Sequence, residues 1–181
     1  MTSAMSVKLN ALGLLGISLV LMVAFADQIA YGDLPCPLCI LQRAGFVAAG
    51  LGLALNVRFG PRPSHYAVVI LSAMAGGAVS LRQIALHVVP GTGAYGNPFL
   101  GLHFYTWAFI LFALIVVGSA AMLLFDRQFD EPGKALPPAR AGLAIVGLFL
   151  LLALGNGVST LLECGGGFCP DNPNDYLLLK K

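Results

Sequence analysis

Cys36 and Cys39 are separated by two residues at the start of an apolar segment, and Arg43 follows Cys39 by one helical turn. Cysteines at this spacing can close a short disulfide, and a helix N-terminus stabilises the thiolate that makes such a pair reactive. Residues four apart share a helix face, so Arg43 is expected beside Cys39, roughly 6 Å further along the axis. A cation buried this close to a thiol, at the edge of a bilayer, is costly and therefore indicates function. The pattern predicts redox chemistry, with a structural disulfide or half of a zinc site as the alternatives.

The composition is typical of a membrane protein. Of 181 residues, 58% are hydrophobic and 10% are charged, whereas soluble proteins carry about 25% charged residues. A net charge of +2 is too small to indicate nucleic-acid binding. Five apolar segments, most of them near the roughly 20 residues that cross a bilayer, predict an all-α, polytopic membrane bundle that forms a single domain over residues 1–181. The segments cover approximately residues 9–29, 40–57, 66–89, 104–125 and 141–162.

The positions of lysine and arginine predict the orientation, because these residues collect on the cytoplasmic side of a membrane. With five spans, one side holds the N-terminus and the loops at 58–65 and 126–140. That side carries Lys8, Arg58, Arg62, Arg127, Lys134 and Arg140, and the other side carries only Lys180 and Lys181. We therefore expect a cytoplasmic N-terminus and periplasmic cysteines. The first segment also resembles a cleavable signal peptide, but cleavage would leave Cys36 on the same side.

A second cysteine pair, Cys164 and Cys169, directly follows the fifth apolar segment. The three glycines between the two cysteines let the backbone fold tightly enough for the sulfurs to meet. Residues 163–181 are predicted to form a solvent-facing periplasmic tail, and four cysteines on an oxidising face fit two disulfides. The pair either staples this tail or receives electrons from a soluble protein and passes them to Cys36 and Cys39. A zinc site built from all four cysteines is the remaining alternative.

The segment Cys36-Pro37-Leu38-Cys39, followed by Arg43, resembles the C-x-x-C-x-x-x-R signature of the bacterial disulfide bond formation protein B family. Ser80-Leu81-Arg82-Gln83 and Phe99-Leu100-Gly101-Leu102 are also similar to that family, so the resemblance covers roughly residues 9–125. It implies a four-helix core, here extended by one C-terminal transmembrane helix. It also implies an inner-membrane protein-disulfide:quinone oxidoreductase, which oxidises a periplasmic thioredoxin-fold dithiol protein (DsbA-like) and reduces ubiquinone or menaquinone.

The resemblance further implies roles for individual residues. Cys36 and Cys39 become the catalytic pair nearest the quinone, with Cys39 facing it and Arg43 stabilising the charge of quinone and thiolate. Arg82, at comparable depth in the third segment, is a further candidate for quinone binding. His87, a turn or so beyond Arg82, is another candidate, because its ring can contact a quinone carbonyl.

The second cysteine pair departs from the family pattern. The family carries this pair between its third and fourth helices, but residues 90–103 contain no cysteine in this chain. An additional fifth helix brings Cys164 and Cys169 to the same side instead. Their role as a catalytic shuttle is therefore a hypothesis that rests on their side and spacing.

Two other functions remain open from the sequence. Vitamin K epoxide reductases also join a C-x-x-C pair to quinone chemistry in a helical bundle, but their loop cysteines precede that pair, and here the order is reversed. A non-enzymatic membrane protein with two structural disulfides is the alternative from another class. Arg43 argues against it, because a scaffold gains nothing from a cation buried one turn below a disulfide.

Overall fold

The computed structural model describes residues 1–89, 91–93, 98–130, 140–171 and 173–179. Five α-helices follow in chain order: α1 (Ser3–Tyr31), α2 (Pro37–Phe59), α3 (Pro63–His87), α4 (Phe104–Leu123) and α5 (Arg140–Cys164). Each helix overlaps one of the predicted apolar segments, and all five are long and apolar enough to cross a membrane. The prediction of an all-α, multi-pass membrane fold is confirmed.

The start of α2 is fixed by the cysteine pair itself. Cys36 is the extended N-cap residue: its carbonyl oxygen accepts a hydrogen bond from Ile40 N at 2.9 Å, and its Sγ accepts one from Cys39 N at 3.1 Å. Pro37 takes the first helical position, where the missing N–H costs nothing. Because α1 ends at Tyr31 and α2 begins at Pro37, the short connection holds the pair close to the end of α1.

The second helix is the centre of the bundle. It packs against α1, α3 and α5, while α4 packs mainly on α3. Small residues on α2 let its neighbours approach closely. A Cβ atom on Gly52 would lie 2.8 Å from the backbone oxygen of His65, and the ring of Phe149 from α5 fills the space beside Gly50. Steric fit therefore sets the register of α2 against α3 and α5.

The end of the bundle opposite the cysteines is closed by buried polar side chains. Ser6 Oγ donates to Gln128 Oε1 at 2.6 Å, and Asn10 Nδ2 donates to the hydroxyl oxygen of Tyr66 at 2.7 Å. Asn56 of α2 joins this network by donating to Asn10 Oδ1 at 2.9 Å. These bonds tie α1, α2 and α3 to the short 3-10 helix Asp126–Gln128. The network is remote from both cysteine pairs and is a structural feature.

Both cysteine pairs lie at the other end, which we call the cysteine end. Cys36 and Cys39 stand at the start of α2, and Cys164 is the last residue of α5. Of the cations used to predict orientation, Lys134, Lys180 and Lys181 lie outside the described residues. The others lie at or near the helix termini and connections of the opposite end: Lys8, Arg58, Arg62, Arg127 and Arg140.

Candidate active site

Cys36 and Cys39 form a disulfide with their Cα atoms 5.0 Å apart. Gln83 of α3 is buried beside it, and its side-chain Nε2 donates to Cys36 Sγ at 3.5 Å and to Cys39 Sγ at 3.7 Å. Gln42 fixes the orientation of this amide by donating to Gln83 Oε1 at 2.6 Å. Opening of the disulfide therefore places a developing thiolate beside an oriented N–H donor and the N-terminus of α2.

Arg43 extends from α2 towards α1 and α5 rather than towards solvent. Its guanidinium donates to Gln28 Oε1 at 2.6 Å, to the backbone oxygen of Ala24 at 2.9 Å and to Asn156 Oδ1 at 3.2 Å. These bonds use three of the five N–H groups that a guanidinium carries. The Glu163 carboxyl also attracts this cation. Arg43 is therefore an oriented positive charge held between three helices, one turn below Cys39.

A cavity of about 680 Å³ lies in the cysteine half of the bundle. Its polar lining includes Cys39, Gln42, Arg43 and Gln83, which brings one sulfur of the first cysteine pair, the cation and the paired amides to one place. Asp27 and Asp33 belong to the remaining walls, which come from α1, the α1–α2 connection, α4 and the α3–α4 connection. These walls are largely apolar and aromatic, and include Leu21, Phe99, Phe104, Tyr105, Trp107 and Leu111. The size and lining are those of a small-molecule site.

The Phe99-Leu100-Gly101-Leu102 segment also reaches this cavity. It forms a tight turn in which Leu100 and Gly101 both have positive φ, 50° and 80°, as a type I′ turn requires. Phe99 and Leu102 exchange backbone hydrogen bonds, and Phe99 O accepts another from Trp107 Nε1 at 2.9 Å. The turn therefore places the Phe99 side chain in the cavity wall.

Two residues assigned from the resemblance lie outside the cavity lining. Arg82 is exposed on α3, beside the buried Gln83 in sequence. His87 is half-buried and donates from Nδ1 to the backbone oxygen of Gln83 at 2.8 Å. Its ring stacks on Tyr105, a residue of the cavity wall, with 5.5 Å between the ring centroids. The quinone-binding roles of Arg82 and His87 stay predictions.

The second cysteine pair is closed by the glycine segment that follows α5. Cys164 and Cys169 form a disulfide with Cα atoms 4.5 Å apart, and Gly165 and Gly166 take the positive φ values of 63° and 79° that the tight return needs. Cys164 is buried, whereas Cys169 is half-exposed. Both pairs are therefore disulfides in this structure, and a disulfide offers no thiolate to a zinc ion.

The tail folds back on the end of α5 through backbone hydrogen bonds. Leu177 N donates to Glu163 O at 3.3 Å, and Leu178 N donates to Leu162 O at 3.0 Å. The last carbonyl groups of a helix lack partners within the helix, so a returning chain that carries N–H groups is stabilised there. The fold thereby brings Pro173 and Asn174 into the lining of the same cavity as Cys39.

One glutamine connects the tail to Arg43. Gln28 accepts from Arg43 through Oε1, while its Nε2 donates to Tyr176 Oη at 2.8 Å and to Ser159 Oγ at 2.9 Å. Sequence reasoning missed Gln28, Asn156 and Gln83 as site residues. The available signal was an amide side chain inside an apolar segment, where a polar group needs a partner.

Replacing Gln83 with leucine is expected to make the Cys36–Cys39 disulfide harder to reduce. The amide can donate more strongly to a thiolate than to a disulfide sulfur, and a hydrogen bond to a charged group contributes about 1.5–3 kcal/mol. With about 30 mV per 1.4 kcal/mol, the reduction potential should fall by roughly 30–60 mV. Redox titration with alkylation of the reduced cysteines measures it.

Ser80→Ala is the matched control for this variant. Ser80 is also buried on α3, but its hydroxyl donates within the helix, to Gly76 O at 3.0 Å. The alanine variant should keep the wild-type potential. An unchanged potential in Gln83→Leu would show that the amide does not stabilise the reduced pair.

The model of the disulfide bond formation protein DsbB family matches residues 6–95, which include the first cysteine pair and Arg43. Disulfide bond formation protein B of Aromatoleum aromaticum is 30% identical over 150 residues, covering 64% of this chain and 87% of the relative. The Marinobacter nauticus protein of that name is 45% identical over 74 residues, 39% of this chain and 44% of the relative. No solved structure matches the chain. The chain therefore belongs to the disulfide bond formation protein B family.

Proposed function

We propose that this protein is a membrane thiol:quinone oxidoreductase that generates disulfides de novo. It reoxidises a periplasmic thioredoxin-fold dithiol protein at the bacterial inner membrane and passes the electrons to ubiquinone or menaquinone. The observation that carries the proposal is that Cys39 and Arg43 share the wall of one largely apolar cavity. Family membership supports the same reaction. A scaffold with two structural disulfides would have no use for this arrangement.

The residues of the cavity fit a quinone. Its aromatic and aliphatic walls suit a flat ring with an apolar chain, and the side-chain N–H groups of Gln42 and Arg43 can donate to carbonyl oxygens. A bound quinone supplies a two-electron, two-proton acceptor. The role of Arg43 is to stabilise negative charge beside Cys39, in surroundings where few water molecules compete for it.

Each protein step is a thiolate attack on a disulfide. A partner thiolate attacks the Cys164–Cys169 disulfide and forms a mixed disulfide, which the second partner thiolate resolves, so that the partner leaves oxidised and the tail pair is reduced. The tail dithiol then reduces Cys36–Cys39 in the same two-step way. The half-exposed Cys169 is the more accessible sulfur for the partner.

We further propose that the cysteine end faces the periplasm. The described cations of the N-terminus and of the connections lie at the opposite end, as expected for the cytoplasmic side. A periplasmic location also supplies the oxidising surroundings in which disulfides persist.

The oxidation state of each cysteine, measured with and without quinone, tests the function. Purified protein is reduced with excess dithiol, freed of it and mixed with a ubiquinone or menaquinone analogue, and the free thiols are alkylated and located by mass spectrometry. We expect Cys36 and Cys39 to be reoxidised only when quinone is added, with one quinol formed per disulfide. A double serine variant of this pair should form no quinol. A wild-type pair that stays reduced under excess quinone would refute the function.

A further inference from the structure

The contacts between α2 and α5 follow a regular antiparallel register. The ring of Phe149 lies against Gly50. About two helical turns closer to the cysteine end, Asn156 Oδ1 accepts a hydrogen bond from Arg43. Seven residues separate these two contacts on both helices, which is nearly two full turns and keeps each contact on the same helix face. The next positions in this series are Glu163 on α5 and Cys36 on α2. Glu163 therefore lies at the level of the Cys36–Cys39 disulfide, about 10 Å beyond Asn156.

Glu163 is fully buried, and neither of its carboxyl oxygens has a hydrogen-bond partner among the residues that the structure describes. Such an arrangement is costly, because a buried carboxyl group normally receives donors. The nearby amide nitrogen of Gln28 already donates to Ser159 and Tyr176. The two disulfides offer no donor either, since their sulfurs carry no hydrogen. Reduction changes this, because each thiol gains an S–H group.

Building on the proposed function, we propose that Glu163 is the proton acceptor for thiol–disulfide exchange between the two cysteine pairs. In the reduced tail pair, the Cys164 thiol gives its proton to the Glu163 carboxylate. The Cys164 thiolate attacks Cys36 Sγ, so that the Cys164–Cys36 bond forms and the Cys36–Cys39 bond breaks. Cys39 leaves as a thiolate beside Arg43.

The second half of the exchange returns the proton. The Cys169 thiol loses its proton to solvent, since this residue is half-exposed, and its thiolate attacks Cys164 Sγ. The Cys164–Cys169 bond forms again, and Cys36 leaves and takes the proton held by Glu163. Two electrons have then moved from the tail pair to the Cys36–Cys39 pair. Glu163 is again a carboxylate.

A purely electrostatic role, as a counter-charge for Arg43, does not explain the position of Glu163. Asp27 of α1 also attracts Arg43 and is half-buried rather than fully buried, so a better solvated counter-charge is already present. Within the part of the chain that the structure describes, the charged and titratable groups that act on Arg43 besides Glu163 are Asp27 from α1 and Tyr176 from the tail. A carboxyl that served only Arg43 would not need to lie at the level of the disulfide.

The test compares Glu163→Gln with wild type in the exchange step itself. Full-length protein in detergent is mixed with a reduced thioredoxin-fold dithiol protein without quinone, stopped with acid at successive times and alkylated, so that reduction of each pair is followed separately. We expect electrons to reach Cys164–Cys169 at the wild-type rate. Their transfer to Cys36–Cys39 should slow by roughly 100-fold at neutral pH, the usual contribution of a general base. The transfer should recover as the pH rises towards about 8.5, where thiols ordinarily ionise.

A second measurement uses the wild-type protein and does not depend on how the variant folds. The time-resolved infrared difference spectrum of the exchange step, in which Glu163 holds the proton while the Cys164–Cys36 bond exists, should contain the C=O band of a protonated carboxyl group, and Glu163→Gln should lack that band. Asp171→Asn, which removes an exposed carboxylate from the same tail, is the matched control and should keep both the band and the rate.

The outcomes separate this proposal from the proposed function. Transfer at the wild-type rate and with the wild-type pH profile in Glu163→Gln, or absence of the carboxyl band, would overturn the role of Glu163 and leave the relay standing. A tail pair that never becomes reduced in wild-type protein would instead overturn the relay. Slow, pH-dependent transfer together with loss of the band supports the role of Glu163.

Discussion

Replacing Cys164 and Cys169 together with serine is expected to reduce oxidation of the protein partner to background. Quinone-driven reoxidation of Cys36–Cys39 should continue at the wild-type rate. The reason is that the tail pair is the proposed entry point for electrons, whereas the quinone step needs only the first pair and Arg43. Two assays on the same purified variant measure the two steps: oxidation of a reduced thioredoxin-fold protein, and quinol formation after direct reduction with a small dithiol.

A structural staple predicts the opposite pattern. The closed loop is short, so its loss should cost about 2 kcal/mol of stability while partner oxidation continues. Tyr176→Phe is the matched control, because it removes the hydroxyl that accepts from Gln28 and loosens the tail without touching a sulfur. If the double serine variant turned over the partner as well as Tyr176→Phe does, Cys36–Cys39 would be the only active pair.

The helices were predictable because the bilayer leaves few choices. Backbone polar groups within a membrane must be satisfied by the segment itself, so an apolar run of about 20 residues becomes a helix. The start of α2 was also readable, since Cys36-Pro37 combines an extended residue with one suited to the first helical turn. The common position of Cys39 and Arg43 in one cavity wall follows from their spacing of four residues.

The environment of the sulfurs was not predictable, because it depends on how different helices meet. Gln83 reaches the disulfide only through the packing of α3 on α2, and Asn156 reaches Arg43 only through the register of α5. That register depends on the fit of the Phe149 ring beside Gly50. Periodicity shows that an amide lies on a helix, but in a largely apolar helix it does not show which neighbour the amide faces.

The sequence did not predict that the tail folds back on the end of α5, and here the reason is different. Residues 170–175 are prolines, asparagines and aspartates, which is typical of exposed chain. The structure nevertheless docks Leu177 and Leu178 on the end of α5, because the helix leaves carbonyl groups that need donors. The composition of the tail alone does not show that the end of α5 lies where the tail can dock on it.

Arg43→Met is expected to weaken the use of quinone more than any other single substitution away from the cysteines. The variant removes the positive charge beside Cys39 and the N–H groups that the cavity offers to a carbonyl oxygen. One lost charge-assisted hydrogen bond, at about 1.5–3 kcal/mol, corresponds to roughly 10-fold to 100-fold weaker apparent affinity, since about 1.4 kcal/mol is a factor of ten. Initial rates of quinol formation over a range of quinone concentrations separate this effect on KM from an effect on kcat.

Two further variants, Arg43→Lys and Arg58→Met, show whether the effect on quinone use is specific to the Arg43 side chain. Lysine keeps the charge but cannot reproduce the planar fork that holds Gln28, Asn156 and the Ala24 carbonyl together, so an intermediate loss is expected. Arg58 is exposed at the other end of the same helix, and its methionine variant should have wild-type kinetics. Methionine at position 43 also leaves those three oxygens without their donor, so part of its effect is lower stability. A stability effect alone reduces the amount of folded protein and leaves KM for quinone unchanged, so a normal KM in Arg43→Met would remove Arg43 from the quinone site.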